Sequence, residues 1–250
     1  MMKIAINGIN GKMGRVLSKS VMNDENAMLV CGFDIEKKPD SQCDVYTNFD
    51  DCNEDIDVII DFSHPSVIKN LTDYAVKKKI PLVISTTGLN DEQKGYLKKA
   101  SETIPVFHSG NMSLGINLLI DLVKSAAKIL YPNFDIEIIE KHHNQKIDAP
   151  SGTALMIADS LNDTLNDDMA YTYDRHSQRK KREVNEIGIH SIRGGTIVGE
   201  HEVIFAGNDE VVSIKHQANS KEIFATGSIK AAYFIKDKAP GIYTMDDLFK

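Results

Sequence analysis

Tryptophan is absent, and cysteine is scarce: Cys31, Cys43 and Cys52 are the only three, and no two form a C-x-x-C pair. An odd count without close spacing provides neither a disulfide framework nor a zinc cage, and reads as reduced thiols. Long apolar runs are missing too. None approaches the roughly 18 residues that a membrane span needs. The N-terminus, MMKIAINGINGKMGR, reaches glycine too soon to hold the apolar core of a secretory signal. The expected location is therefore the cytoplasm. A basic excess is also lacking, since 29 Lys+Arg against 36 Asp+Glu leave a formal charge of −7. That balance argues against nucleic-acid or membrane-surface binding, while leaving room for a local basic pocket. No internal repeat and no low-complexity tract interrupts the chain. What remains is ordinary globular composition, 42% hydrophobic and 26% charged over 250 residues. That is enough for one large domain or two small ones with a core that needs no staples.

The first half alternates between apolar runs and amphipathic stretches. Lys3–Asn7, Met28–Phe33, Asp57–Phe62, Leu82–Ser85 and Pro105–Phe107 read as strands. Residues 12–22, Pro65–Lys79 and Asp91–Ser101 read as helices. Continuous apolar strands separated by helices predict a parallel sheet covered on both faces. The pattern changes near residue 112. Ser113–Leu130 predicts a long helix with Leu114, Leu118, Leu122 and Ile129 on one side, and Phe134–Glu140 a strand. Gly152–Leu161 predicts a helix. Ile187–Arg193, Thr196–Phe205 and Glu210–Gln217 are antiparallel candidates joined by turns at Gly194–Gly195 and Gly207–Asn208, and Ser220–Lys236 returns to a helical period. The polar stretch 163–183 predicts an exposed loop or weak helix. The fold class expected is α/β: an N-terminal Rossmann-type parallel-sheet domain plus a mixed α+β domain for substrate and oligomerisation.

Gly8, Gly11 and Gly14 stand between the first strand and the first helix in a G-x-x-G-x-x-G spacing. There the first glycine permits a tight turn, the second lets backbone approach a pyrophosphate, and the third lets the helix pack on the strand. Asp34 ends the second strand, where a ribose-binding carboxylate belongs. Together they predict a dinucleotide site. Ile35 follows, so no guanidinium adjoins Asp34 to grip a 2′-phosphate, but Lys37 and Lys38 lie just beyond. NADH is expected to be used well, with NADPH accepted comparably. Ser63 after the third strand, and Thr86, Thr87 and Gly88 after the fourth, lie at the same expected sheet edge, where hydroxyls and amides can meet ribose and nicotinamide. Turn capping accounts for them equally well.

Glu140 to Thr153, EKHHNQKIDAPSGT, is the richest stretch. His142 and His143 end a strand, Lys146 adds a positive charge, and Ser151 is a good helix N-cap. Ser151, Gly152 and Thr153 thus present a helix start beside His and Lys, which suits a carboxylate. Histidine is the natural proton donor near neutral pH. Adjacent histidines are poor joint chelators, and no carboxylate or cysteine falls at ligand spacing, so no metal is expected.

NGINGKMG, DFSHP, STTG, SGNMSLGIN, EKHHNQKIDAPSGTAL and IHSIRGGTIVGEHEVIFAG closely resemble the dihydrodipicolinate reductase family, from residue 3 to the C-terminal helix. The HH…K-x-D-A-P-S-G-T block is its most specific part. The resemblance implies reduction of 4-hydroxy-tetrahydrodipicolinate in lysine and diaminopimelate synthesis. It also implies a homotetramer, with residues 1–112 completed by 220–250 as the dinucleotide domain, and 113–219 as the substrate and tetramerisation domain. Carried over by residue, His142 matches the general acid and Lys146 its cationic partner. His143, Ser151, Gly152 and Thr153 match contacts to a cyclic dicarboxylate. Gly8, Lys12, Met13, Asp34, Thr87, Gly88 and the turn Gly110, Asn111, Met112 match the cofactor site. Ile35 departs from relatives that carry arginine, which bears on cofactor choice and not on the reaction. Two other readings are a nicotinamide dehydrogenase acting on an amino acid or sugar, and a non-catalytic nucleotide sensor. The first would not need the HH…K…SGT block, and the −7 charge and absent basic helix count against DNA binding by the second.

Overall fold

A computed structural model of the chain describes residues 1–166 and 168–249. They divide into two compact units, Met1–Leu114 with Lys221–Lys250, and Gly115–Ser220. In chain order the elements are β1 (Met2–Asn7), α1 (Lys12–Met22), β2 (Ala27–Phe33), β3 (Val45–Tyr46), β4 (Val58–Asp61), α2 (Ile68–Lys78), β5 (Leu82–Ile84), α3 (Asp91–Ala100) and β6 (Pro105–His108). The second unit holds α4 (Leu114–Leu130, its first residue still in the first unit), β7 (Asp135–His142), α5 (Gly152–Leu165), β8 (Ala170–Thr172), β9 (Glu186–Arg193), β10 (Gly199–Ala206) and β11 (Val211–Ala218). The chain then returns to the first unit with α6 (Glu222–Ile235), β12 (Gly241–Tyr243) and α7 (Met245–Leu248).

The first unit is a seven-stranded sheet in the order β12-β6-β5-β4-β1-β2-β3. Every neighbouring pair is parallel. Alternate side chains build two separate cores. Ile4, Ile6, Val58 and Ile60 face Leu17, Val21, Ala225, Ile229 and Ala232 of α1 and α6. Ala5, Ile59, Leu82 and Ile84 face Leu71, Ala75 and Leu97 of α2 and α3. This two-sided burial explains why the strands read as unbroken apolar runs. The strand order reverses direction between β1 and β4, which is where ligands bind in such sheets. The short strands β3 and β12 carry too few residues to stand out in the sequence.

The second unit is a five-stranded mixed sheet in the order β11-β10-β7-β9-β8. Ile136, Ile138, Ile187, Ile189, Val203 and Phe205 on one face pack against α4 and α5. Three expectations need correction here. First, β9 and β10 are not hairpin partners: β7 lies between them, parallel to β9 and antiparallel to β10. Residues 194–195 do not close a hairpin but cross the end of β7, with Gly194 N–H donating to His142 C=O and Asn144 N–H to Gly195 C=O. Only β10 and β11 form the expected antiparallel neighbours.

Second, α4 buries Ile116, Leu119, Ile120, Val123 and Ala127. Leu118, Leu122 and Ile129 of the expected stripe are exposed. The helix is apolar on more than one side, so periodicity alone did not select the buried one. Third, within 163–183, α5 runs on to Leu165 and β8 adds to the sheet, while Asp167 lies outside the described residues. The loop after β8 is tied down by charge. Arg182 reaches Asp135 at 2.8 Å and Glu137 at 3.1 Å, and Arg175 bridges Glu137 and Glu186 at 2.8 Å each.

Candidate active site

In the first unit, β1 ends at Asn7 and the chain turns at Gly8, whose φ of +79° lies in the left-handed region. A Cβ there would stand 2.6 Å from the carbonyl oxygen of Phe62, and one on Gly14 would stand 2.2 Å from that of Gly8. Only glycine lets loop, strand and helix come this close. Gly11 caps α1 without a side-chain bond. The first turn, at Lys12, Met13 and Gly14, therefore offers N–H groups that the helix itself does not use, which suits an anion. Gly8 N–H donates to Phe33 C=O at 2.8 Å, fixing the loop to the end of β2. Beyond that end, Asp34 accepts from Asn10 N–H and Ile35 N–H at 2.8 Å each. A cleft of about 480 Å³ opens here, with Gly8, Gly11, Asp34 and Ser63 among its lining and Phe49 and Val67 as apolar wall.

Behind the cleft lies a buried carboxylate. Asp61, at the end of β4, accepts from Asn7 Nδ2 at 2.7 Å, Ser63 Oγ at 2.6 Å and Thr86 Oγ1 at 2.6 Å. Burial pushes this carboxyl above its ordinary range, against the pull of those hydrogen bonds. It ties the ends of β1, β4 and β5 together. Thr87 and Gly88 are exposed, and Gly88 has φ +74° with open space around it. The turn after β6 is self-braced: Ser109 Oγ donates to Asn111 C=O, and Asn111 Oδ1 accepts from Ser113 N–H, each at 2.8 Å. Met112 is buried, and Gly227 of α6 packs so closely on its carbonyl that a Cβ would not fit. Gly110 borders open space.

In the second unit, the sheet register places a polar cluster at the end of the apolar face. Glu140 pairs with Ser191 on one side and His201 on the other, and His142 pairs with Arg193. Glu140 is fully buried. Its Oε2 meets His142 Nδ1 at 2.6 Å and Arg193 Nη1 at 2.8 Å. Its Oε1 accepts from Arg193 Nη2 at 2.6 Å and from Ser151 N–H at 3.1 Å. Burial pushes the carboxyl up, but the hydrogen bonds from His142 and Arg193 outweigh it and hold Glu140 well below the usual carboxylate range. Ser151 caps α5 by accepting from Ala154 N–H at 3.2 Å, and its Oγ also meets His201 Nε2 at 3.0 Å. Burial first, and then the neighbouring His142, push His201 down to about 3. The two imidazole rings stand edge to face, centroids 5.3 Å apart.

Lys146 pairs with Asp148 at 2.9 Å. The bond holds the Asp148 carboxyl below its usual range. His143 Nδ1 is buried with no hydrogen-bond partner among the described residues. A Cβ on Gly152 would meet nothing within 4 Å, so the start of α5 borders open space. Among the described residues, no three His, Cys, Asp or Glu side chains group to hold a metal ion. No described helix is long and apolar enough to cross a membrane.

These two halves match known proteins end to end. Residues 2–112 match the model of the dihydrodipicolinate reductase N-terminus, and residues 115–249 that of its C-terminus. The chain belongs to the dihydrodipicolinate reductase family. A 4-hydroxy-tetrahydrodipicolinate reductase from Caldanaerobacter subterraneus subsp. tengcongensis is 52% identical over 250 residues, covering 100% of this chain and 99% of that one. One from Clostridium novyi is 47% identical, covering 100% and 99%. Among solved structures, a dipicolinate-bound dihydrodipicolinate reductase from Paenisporosarcina sp. TG-14 superposes with TM-score 0.82 at 26% identity, covering 98% of this chain and 97% of that one. The protein is therefore an oxidoreductase of this family, with a Rossmann-like parallel sheet and a second mixed sheet.

Set on this reductase fold, the residues singled out in the sequence fall into groups. Gly8, Gly11, Asp34 and Ser63 share one cleft, and Thr86 joins them through Asp61. Lys12, Met13 and Gly14 form the first turn of α1, while Thr87, Gly88 and Gly110 to Met112 lie outside the cleft lining. His142 and Ser151 are joined by Glu140. Lys146 is drawn to Asp148, and Gly152 and Thr153 open α5. Asp61, Glu140, Arg193 and His201 were not singled out. For three of them a signal was present: Glu140, Arg193 and His201 sit at the alternate positions that are otherwise filled by Ile138, Ile189 and Val203.

Proposed function

We propose that this enzyme reduces 4-hydroxy-tetrahydrodipicolinate to tetrahydrodipicolinate in lysine and diaminopimelate biosynthesis, with release of water and oxidation of NADH or NADPH. The observation that carries this reading is the meeting of an imidazole held by a buried carboxylate and an open helix start at one end of β7. The first-unit cleft suits a dinucleotide: Gly8, Gly11 and the first turn of α1 for the pyrophosphate, Asp34 for ribose, and Ser63, Thr86, Thr87, Gly88 and the Gly110–Met112 turn beyond. Reduced nicotinamide supplies the hydride for a conjugated, imine-activated ring carbon of the substrate.

The chain's own residues do the rest. The start of α5 at Gly152 and Thr153, held in place by Ser151, takes one substrate carboxylate, and His143 contributes to the same recognition. Negative charge develops on the ring as it is reduced. His142 donates the proton, and Lys146 stabilises the charge as a fixed cation. Asp34 favours the free ribose of NADH. Lys38 is drawn to Glu36 at 3.2 Å and Arg15 to Asp40 at 2.9 Å, so the charge available for a 2′-phosphate is partly spent. NADH is expected to serve at least as well as NADPH. Leu118, Leu122 and Ile129 of α4, with Val211 and Val212 of β11, leave apolar surface exposed on the second unit. That supports self-association, which we take to be the homotetramer that the family resemblance implies; sedimentation tests it.

The assay generates the substrate in place from pyruvate and aspartate semialdehyde with a dihydrodipicolinate synthase, and follows loss of reduced-nicotinamide absorbance. Fast oxidation of NADH that depends on the synthase is the expected result. No oxidation by folded, dinucleotide-binding protein overturns the substrate assignment, and a strong preference for NADPH overturns the cofactor assignment.

A further inference from the structure

Glu140 is unusual among the charged residues of the second unit in being wholly buried with all its acceptor capacity in use. The fork of Arg193 grips both its oxygens and so fixes the plane of the carboxylate. That plane decides which direction the imidazole of His142 must face. An ionised carboxylate only accepts, so His142 Nδ1 carries a proton in either charge state. Nε2 is then the atom at which a proton is gained or lost. Nε2 points at Gly199, where a Cβ would stand 3.1 Å away, so a larger residue at 199 would crowd the donor atom.

We infer that Glu140 and Arg193 are positioning residues that orient His142 and tune its hold on a proton in opposite senses. The carboxylate stabilises the imidazolium, and the guanidinium offsets that stabilisation. The other groups around this cluster are common to all the variants compared below. From β10 comes His201, kept neutral by burial, and His216 of β11 stands opposite it in register. From α5 comes the uncharged Ser151. From the loop after β7 come His143 and Lys146, whose ammonium is paired with Asp148 and whose charge still reaches His201. The inference rests on His142 being the proton donor of the proposed reaction.

The test is the pH profile of kcat/KM, with synthase in excess, for wild type, His142→Gln, Glu140→Gln, Arg193→Met and the double variant Glu140→Gln/Arg193→Met. A general acid loses activity as pH rises through its titration, so the profile has an alkaline limb. Glu140→Gln should move that limb down by about one pH unit or more, Arg193→Met should move it up, and the double variant should lie between them. The double variant also covers the case in which Glu140→Gln fails to fold because it leaves a half-buried guanidinium without its carboxylate. His142→Gln should abolish the limb. A limb that survives in His142→Gln removes His142 as the acid. A limb lost in His142→Gln but unmoved, or moved in one common direction, in the other variants leaves the acid standing and overturns the positioning role.

Discussion

At the residue scale, the cofactor loop depends on the absence of two Cβ atoms. Gly14→Ala would place a carbon 2.2 Å from the carbonyl oxygen of Gly8, a contact that backbone atoms cannot relieve by rotation. The expected cost is roughly 1–3 kcal/mol of stability, with loss of dinucleotide binding. Thermal melting with and without NADH measures both. An unchanged melting point and undiminished binding would contradict the packing role. The glycine loop was legible because the backbone geometry it serves admits few residue types. Asp61 was not, since an acid at a strand end looks the same whether it is solvated or buried under two hydroxyls and an amide. Glu140 stood out only as a charge at an apolar strand position, and its role was not legible. Its partners come from β9 and α5, and pairing between distant strands cannot be read from local spacing.

At the element scale, α5 begins where substrate is expected, and Ser151 sets that start. Ser151→Ala removes the bond to Ala154 N–H and should cost about 1 kcal/mol of stability. It should raise KM for the substrate more than it lowers kcat, and a KM equal to wild type contradicts the assignment. The β10–β7–β9 ladder carries a second prediction, about acid. Burial depresses His201 from 6.5 to about 3, so within that window the unfolded chain binds a proton that the folded chain refuses. Its contribution to stability is complete above pH 6.5 and drains as the pH falls toward 3, by up to ~1.4 kcal/mol per pH unit. Glu140 acts lower down. Its folded form holds a proton less readily than the ordinary value of 4.5, so its contribution is complete above 4.5 and drains below it. Urea melts at pH 7 and pH 5 should show a clear loss for wild type and a smaller one for His201→Gln. Equal losses in both would contradict the account. The positions of the helices were legible from their periods, which are local, although the period of α4 did not select its buried face. The order of the second sheet was not legible. Three apolar runs separated by glycine turns predict a meander, and only tertiary packing inserts β7 between β9 and β10.

At the scale of the whole molecule, the first sheet is made from both ends of the chain. The α6 helix covers Ile4, Ile6, Val58 and Ile60 with Ala225, Ile229 and Ala232, and β12 extends the sheet beyond β6. A chain ending at Ser220 should therefore lose cooperative melting and dinucleotide binding together. A truncated protein that melts cooperatively and binds NADH would show that residues 1–114 suffice. The alternation of strands and helices made the parallel sheet legible, whereas β12, three residues long, carried no signal of its own. In the proposed reaction His142, held by a buried carboxylate, protonates the ring as it is reduced. The most direct test of that step is turnover of wild type and His142→Gln side by side in the synthase-coupled assay, with NADH binding measured on both. Intact NADH binding and turnover lower by about 10²–10⁴ are expected in the variant, and equal turnover would contradict His142 as the proton donor.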